Sequence, residues 1–177
     1  MTVVNGQTLL RMAPIKDMAR EKYRDHGVSY GLSEAGYDIR IKQEIRFVRH
    51  HEGFMIFTDG ALLATDNVSD RFCLASSIEE FQIPGNLVGI VHDKSTWARQ
   101  GLSVFNTVVE PGWNGFLTLE LVYHGSQDLI IPAGAGIAQV IFSQVLNRAD
   151  YGDGKYQNQE DRPVESRWVS DQGVQND

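Results

Sequence analysis

The sequence predicts a mainly β domain, built as a sandwich or a barrel. Short segments that favour β-strands follow one another from Tyr37 onward, and turn-forming pairs such as Asp59-Gly60 and Pro111-Gly112 separate them. No strand–helix–strand rhythm follows residue 28, so a doubly wound parallel sheet is not expected. The length of 177 residues suits one domain that buries its own core.

The N-terminal part is predicted to hold one short helix. We interpret residues 1–14 as an extension without a clear structural pattern. We expect a helix to begin at Pro14, because proline suits the first helical position, and to end near Gly27. The apolar side chains of this helix recur at helical spacing: Ile15, Met18, Ala19 and Tyr23.

The strands are predicted from alternation and from short apolar runs. In the first strand, Tyr37, Ile39 and Ile41 alternate with polar residues, which indicates a half-buried position. Residues 161–177 are polar and are predicted to form a flexible tail after the domain, which spans 15–160. Eight further segments are predicted as strands: Ile45–Val48, Phe54–Phe57, Phe72–Ala75, Leu87–Val91, Leu102–Val109, Phe116–Tyr123, Leu129–Ile131 and Ile137–Val145.

The composition argues against several classes of protein. A net charge of −7 does not suit a general nucleic-acid binder, and no run of 18 apolar residues suggests a membrane span. The single cysteine, Cys73, is expected in the core, and it fits a reducing compartment such as the cytoplasm. Because a lone cysteine cannot form a C-x-x-C pair, a zinc deaminase or zinc finger is not expected, and neither is bound zinc.

A basic, hydroxyl-rich stretch at residues 93–102 stands out against the acidic background. Lys94, Ser95, Thr96 and Arg99 offer cationic groups and hydroxyls that suit a phosphate group. On this stretch alone, an ordinary charged surface loop is the alternative.

The segment 116–123 contains the most informative carboxylate of the sequence. By the period of two, Leu117, Leu119 and Leu121 share one face of the strand, and Glu120 interrupts a partly apolar opposite face. A carboxylate in such surroundings has a raised pKa and can shuttle protons. The alternative is a glutamate that points to solvent from a one-sided sheet.

Two turn segments complete the candidate site. Glu110 precedes Pro111, so its backbone is held extended, and its side chain either projects into a site or decorates the turn. Trp113 in the same turn is expected to pack and not to stack on a base. The segment 152–159 contains two glycines, a lysine and several amides, which is typical of a lid that closes on phosphates.

Several motifs follow one another along the chain: SYG and GYDIR within 29–40, KSTWARQG at 94–101, EPGWNG and TLE within 110–120, GIAQ at 136–139 and GKYQNQ at 154–159. Taken in order, these motifs resemble those of the dCTP deaminases, within the wider dCTP deaminase and dUTPase superfamily. The resemblance implies a distorted, jelly-roll-like β-barrel of the dUTPase-like type, assembled as a homotrimer with active sites between subunits. It also implies Mg²⁺ held through the nucleotide triphosphate and not by protein ligands.

The resemblance implies conversion of dCTP to dUTP and ammonia, a step toward dUMP and dTTP synthesis. Glu120 would take a proton from water, whose hydroxide attacks C4 of the cytosine, and would pass protons to the departing ammonia. Ser95 and Arg99 would join it in catalysis by holding the water, the base and the triphosphate. The residues expected to bind the substrate are Lys94, Ser95, Thr96, Ala98, Arg99, Val108, Glu110, Thr118, Leu119, Glu120, Gln139, Tyr151, Lys155 and Gln159.

The same resemblance leaves competing functions open. In dUTPases an aspartate in the turn before this strand activates water against the triphosphate, and Glu110 occupies that place. A bifunctional dCTP deaminase and dUTP diphosphatase is therefore one alternative, and a non-catalytic, nucleotide-sensing regulator is another. dTTP is a candidate inhibitor. The sequence differs from the family pattern at Asp93, where glycine is expected, and at Val108, where alanine or proline is usual.

Overall fold

The computed structural model describes residues 2–51, 53–63 and 71–167, which form two short helices and fourteen strands. The helices are α1 (Gly6–Met12) and α2 (Ser95–Ala98). The strands are β1 (Val3–Val4), β2 (Lys22–Asp25), β3 (Val28–Leu32), β4 (Tyr37–Arg40), β5 (Ile45–His50), β6 (Gly53–Thr58), β7 (Ala61–Leu62), β8 (Phe72–Gln82), β9 (Leu87–Asp93), β10 (Leu102–Val104), β11 (Val108–Val109), β12 (Asn114–Tyr123), β13 (Leu129–Ile131) and β14 (Gly136–Gln144).

The strands form three antiparallel sheets. The largest has seven strands in the order β11-β9-β14-β4-β3-β2, with β1 also paired to β14. A three-stranded sheet, β10-β12-β8, carries Glu120 on its central strand, and a four-stranded sheet has the order β13-β5-β6-β7. The mainly β prediction is confirmed. The predicted closed barrel is wrong, because β2 and β11 remain free edges of the largest sheet within the described part of the chain.

The predicted helix between Pro14 and Gly27 is also wrong. The helix of this region is α1, which lies within the predicted extension and ends at Ala13, whose φ of 45° is left-handed. Beyond it, Ile15 forms a β-bridge with Phe81, and the chain continues into β2. Long-range pairing therefore outweighs the helical spacing of the apolar residues in this segment.

The predicted strands largely coincide with observed ones. Each of the eight segments overlaps a strand, and 129–131 agrees at both ends. The segment 102–109 is divided, since a loop separates β10 from β11, and β8 extends well beyond the predicted 72–75. The alternation at the start of β4 is confirmed for Tyr37 and Ile39, which are buried, although Asp38 between them is buried as well.

One continuous core holds the sheets together. Ile39, Phe47, Phe81 and Phe142 are among its fully buried side chains and come from β4, β5, β8 and β14. Cys73 is a core residue as predicted, and burial raises the pKa of its thiol to about 12. No helix in the described ranges is long and apolar enough to cross a membrane.

Candidate functional site

A cavity of about 420 Å³ opens beside Glu120 on β12. Its walls come from β8, from β11 with the following turn, from β12 and from the C-terminal segment, by which we mean residues 150–167. The cavity brings together six of the residues that the sequence predicted for the site: Val108, Glu110, Thr118, Glu120, Tyr151 and Gln159.

Glu120 faces the cavity because its neighbours on the strand face the core. Leu119 and Leu121 are buried at 1% and 0% exposure, so by the period of two Glu120 projects to the opposite side. The strand is fixed on both edges, since Leu74 of β8 pairs opposite Glu120 and the Glu120 carbonyl accepts from the Phe105 N–H at 3.0 Å. The predicted division of β12 into two faces is therefore confirmed.

The surroundings of Glu120 suit a proton shuttle. Its side chain is half-buried, and burial raises the pKa of the Glu120 carboxyl above the ordinary value of a glutamate. Apolar side chains such as Phe72 and Leu74 line the cavity beside it. Within the described residues no cation forms an ion pair with Glu120 that would hold it permanently charged. A carboxyl of this kind can both accept and return a proton.

Thr118 shares the face of Glu120 and connects the cavity to the C-terminal segment. Its hydroxyl donates to Gln159 Oε1 at 3.2 Å and accepts from the Val164 N–H at 3.1 Å. Val164 is 8% exposed and closes one side of the cavity. The described part of the predicted flexible tail, 161–167, thus packs against the domain, whereas residues 168–177 lie outside the described residues.

The C-terminal segment is attached to the turn that precedes β12. Trp113 Nε1 donates to the Tyr156 carbonyl at 2.7 Å, and the Asn114 N–H donates to Gln157 Oε1 at 2.8 Å. Trp113 is 5% exposed and packs against Phe81 with 5.9 Å between ring centroids. The predicted packing role of Trp113 is therefore confirmed, and its indole also anchors the predicted lid segment.

The basic motif lies away from this cavity. Ser95, Thr96 and Ala98 are exposed on α2, and Arg99 is exposed directly after it. None of the four lines the cavity of its own chain. Trp97 between them is buried, and its Nε1 donates to the Gly136 carbonyl at 2.7 Å. The structure therefore separates the expected phosphate-binding motif from the expected catalytic carboxylate.

Four other expected site residues also lie outside the cavity. The Leu119 side chain points into the core, and Lys155 Nζ donates to the Arg167 carbonyl at 3.2 Å. Lys94 and Gln139 meet instead at Asp38 of β4: Lys94 forms an ion pair with the carboxylate, and Gln139 Nε2 donates to Oδ1 at 3.1 Å.

Asp93, which departs from the family pattern, has a structural role. Its Oδ1 accepts from the Val104 N–H at 2.7 Å, so the carboxylate supports the start of the chain segment after α2. Because the Asp93 carboxylate is hydrogen-bonded to the backbone of β10, an acidic residue has a structural function at this position, beside a motif expected to bind phosphate.

The charged residues that line the cavity are all acidic. Glu110, Glu120 and Glu165 line it, and its described lining residues include neither lysine nor arginine. Histidine, cysteine, aspartate and glutamate side chains in the described ranges form no group of three that could hold a metal ion. The cavity of a single chain can therefore hold an uncharged base but lacks partners for a polyanion.

The cavity contains residues that the sequence did not indicate. Phe72 and Leu74 come from a segment that was predicted as a strand without a site role, and Val164, Glu165 and Ser166 come from the predicted tail. Alternation along β8 is a usable signal for Phe72 and Leu74, since it places both on one face. The tail carries no comparable pattern.

Comparison with known proteins agrees with the resemblance of the motifs. The chain matches the model of the dCTP deaminase-like family over residues 10–145. The dCTP deaminase of Chlamydia muridarum (strain MoPn / Nigg) is 39% identical over 146 residues, which cover 75% of this chain and 77% of that protein.

One solved structure supports a similar fold, and a second was aligned with a lower score. The 2'-deoxycytidine 5'-triphosphate deaminase from Agrobacterium tumefaciens aligns with a TM-score of 0.55 at 14% identity, covering 84% of this chain and 50% of that chain. The EIAV dUTPase aligns with a TM-score of 0.47 at 18% identity, covering 89% of this chain and 92% of its own. The family match includes α2, the turn at Glu110 and the whole of β12. Because this match covers most of the chain, the chain belongs to the dCTP deaminase-like family.

Proposed function

We propose that the protein catalyses the hydrolytic deamination of dCTP to dUTP and ammonia. The observation that carries the proposal is Glu120, a half-buried carboxyl with a raised pKa in a cavity large enough for a pyrimidine nucleoside. Membership of the dCTP deaminase-like family supports the substrate. The reaction is expected in the cytoplasm, where a single cysteine stays reduced.

In the proposed mechanism Glu120 moves every proton. Its carboxylate takes a proton from a water molecule, and the resulting hydroxide forms a bond to C4 of the cytosine. Glu120 gives this proton to N3 of the base, then takes the remaining proton of the new hydroxyl group and passes it to the 4-amino group, so that the C4–N bond breaks, a carbonyl forms at C4 and ammonia leaves. The two hydrogens of the water thus end on N3 of uracil and in ammonia, with no oxidant or reductant. Thr118 and Gln159, on the wall beside Glu120, would hold the base.

The triphosphate requires cations that this cavity lacks. Ser95 is exposed on α2 and Arg99 directly after it, so a neighbouring copy of the chain could present them to the cavity. We therefore include in the proposal a homotrimer in which Glu120 and Arg99 of one site belong to different copies. Mg²⁺ would be held by the triphosphate oxygens, in keeping with the preference of magnesium for oxygen and water ligands.

Ammonia release from dCTP in the presence of Mg²⁺ tests the reaction. Glu120→Gln should abolish the release while leaving nucleotide binding in place, because the amide keeps the shape of the side chain but cannot accept the proton. Absence of ammonia with the original chain would refute the proposal. Sizing by light scattering should give about three times the chain mass of 19.8 kDa.

Mixed oligomers test the shared site. Glu120→Gln and Arg99→Ala should each be inactive alone, since each lacks one part of every site. Co-expressed in equal amounts, they should recover about a quarter of the original activity, because about one site in four then combines an intact Glu120 with an intact Arg99 from a neighbour. A mixture as inactive as its parents would show that both residues act within one chain.

A second activity is favoured by the position of Glu110. This carboxylate is exposed at the cavity, where it could activate water against the triphosphate of dUTP. Pyrophosphate formed from added dUTP, and lost in Glu110→Gln, would support the bifunctional enzyme. Nucleotide binding without either product would instead indicate a regulator, and the same assay with added dTTP tests inhibition.

A further inference from the structure

The ladder between β8 and β12 is interrupted directly beside the cavity. On one side of the interruption Phe116 pairs with Glu80, and on the other side Thr118 pairs with Ser76. Three residues of β8, 77–79, therefore lie opposite a single residue of β12, which makes a β-bulge. A bulge bends its strand and changes the direction of the side chains around it, and bulges recur next to active sites.

This bulge decides which side chain lies beside Glu120. If the ladder continued without the bulge, Ser76 would lie opposite Glu120, whereas the observed partner is Leu74. The offset amounts to about 7 Å along the strand, because each of the two extra residues adds about 3.4 Å. Leu74 lines the cavity, so the apolar wall beside the proposed catalytic carboxylate depends on the offset.

The Ser77 hydroxyl holds the bulge against β12. It accepts a hydrogen bond from the Leu117 N–H at 2.9 Å and donates one to the Glu79 carbonyl at 2.8 Å. All three residues are buried. Because a buried N–H or carbonyl without a partner is unfavourable, this one hydroxyl satisfies two backbone groups that the interrupted ladder leaves unpaired.

The Glu79 carboxylate attaches the bulge to the largest sheet. Its Oε2 accepts from the backbone N–H of Arg40 and its Oε1 accepts from Arg40 Nε, each at 2.8 Å. Ile41, the next residue, forms a β-bridge with Ser77. The Glu79 side chain is only 3% exposed, so its ion pair with Arg40 is shielded from water on the carboxylate side. The bulge is thus fixed between β12 and the end of β4.

We propose that Ser77 and Glu79 are positioning residues, which maintain the bulge and so direct Thr118 and Glu120 toward the substrate. Neither Ser77 nor Glu79 lines the cavity, so both act through β12. The inference rests on the proposed function, which assigns proton transfer to Glu120. It gives two buried polar residues of β8 a part in the reaction, although they belong to none of the motifs that indicated the site.

The first test compares Ser77→Ala with Ser76→Ala at saturating dCTP. Ser77→Ala leaves the Leu117 N–H without its acceptor, so β12 should shift and kcat should fall about tenfold or more, because a small displacement of a catalytic group greatly lowers the rate. Ser76→Ala is the matched control. It removes a second buried hydroxyl of β8, whose partner is Gln43, and kcat should stay within about twofold of the original chain. Equal kcat values in the two variants would overturn the proposal.

A measurement without ligand separates this proposal from the proposed function. Amide hydrogen exchange at Leu117 should become at least about tenfold faster in Ser77→Ala and should stay slow in Ser76→Ala. Unchanged exchange in Ser77→Ala would overturn the positioning role. Faster exchange in Ser77→Ala alone, with no ammonia released by the original chain, would support the hold of the bulge on β12 and refute only the deamination.

Glu79→Gln keeps the proposal testable where Ser77→Ala does not fold. The amide has a single oxygen, so it keeps only one of the two contacts to Arg40. Exchange at Leu117 should become at least about threefold faster and kcat should fall by a similar factor. Lys16→Met is the control, because it removes an exposed ion pair with Glu80 next to the bulge and should change neither value. The proposal is wrong if Glu79→Gln behaves like Lys16→Met.

Discussion

Replacing Gly115 by alanine should detach the C-terminal segment from the cavity. Gly115 has a φ of +128°, and a Cβ built there lies 2.5 Å from the backbone nitrogen and 2.8 Å from the carbonyl oxygen of Gln159. These atoms belong to the backbone, so no side-chain rotation relieves the collision. The segment must move outward, and the two hydrogen bonds that Gln159 makes to β12 should break.

The magnitude follows from these two bonds. One joins the Phe116 N–H to the Gln159 carbonyl at 3.1 Å, and the other joins the Thr118 hydroxyl to Gln159 Oε1 at 3.2 Å. At about 1 kcal/mol each, their loss should lower the free energy of unfolding by about 2 kcal/mol, in addition to the backbone strain of alanine at positive φ. Gly134→Ala isolates the strain, because Gly134 has a φ of +83° and open space around its position.

Urea unfolding and amide hydrogen exchange should measure the difference between Gly115→Ala and Gly134→Ala. Gly115→Ala should lose about 2 kcal/mol more than Gly134→Ala, which should lose about 1–2 kcal/mol from left-handed strain alone. Exchange at Asn158 and Val164 should accelerate in Gly115→Ala only, and KM for dCTP should rise as one wall of the cavity opens. Equal stability losses in the two variants, with unchanged exchange at Val164, would refute the account of how this segment is held.

Four further predictions concern three side chains at or near the cavity. Cys73, whose thiol has a pKa of about 12, should react with a thiol reagent only when the chain unfolds, so urea should increase the rate of labelling by orders of magnitude. Deamination should decline toward acid at a pH above the usual glutamate range, because Glu120 must be ionised and burial raises its pKa. A carboxyl with a raised pKa stabilises the fold at low pH and loses that contribution as pH rises through the raised value. Glutamine does not titrate, so the melting temperature of Glu120→Gln should rise relative to that of the original chain as pH increases from the usual glutamate pKa to the raised one. Thr118→Val should lower the free energy of unfolding by about 1–3 kcal/mol, because its hydroxyl no longer pairs with Gln159 and Val164, as urea titration would show.

The sequence predicted features that depend on neighbouring residues. The two faces of β12 follow from a period of two, so the cavity-facing position of Glu120 could be read from the alternation around it. Turn-forming pairs likewise marked the ends of some strands, such as Asp59-Gly60 after β6 and Pro111-Gly112 after β11. The predicted helix after Pro14 was wrong because the conformation of this segment depends on a distant contact. The apolar residues have helical spacing, but Ile15 forms a β-bridge with Phe81, which lies far along the chain.

The role of Lys94 shows the same limit at the site. A lysine in a hydroxyl-rich stretch suggests a phosphate ligand, and no local pattern reveals that its charge is neutralised by Asp38, 56 residues earlier. Asp93 was unexplained for a related reason, since its acceptor role depends on the backbone of Val104 beyond α2. Residue type indicated which groups carry charge, but the fold decides which charges remain available to a substrate.

The boundary of the family match has a consequence for substrate choice. The match ends at residue 145, yet the C-terminal segment supplies a wall of the cavity through Tyr151, Gln159 and Val164. Glu120, the proposed catalytic carboxylate, and this wall are therefore encoded in different parts of the chain and meet through the turn at Trp113 and Asn114. In the proposed reaction, chemistry at C4 of the base depends on β12, whereas the shape of the cavity around the base and sugar depends on the segment outside the match. Substitutions that alter nucleotide preference are thus to be sought in residues 151–166.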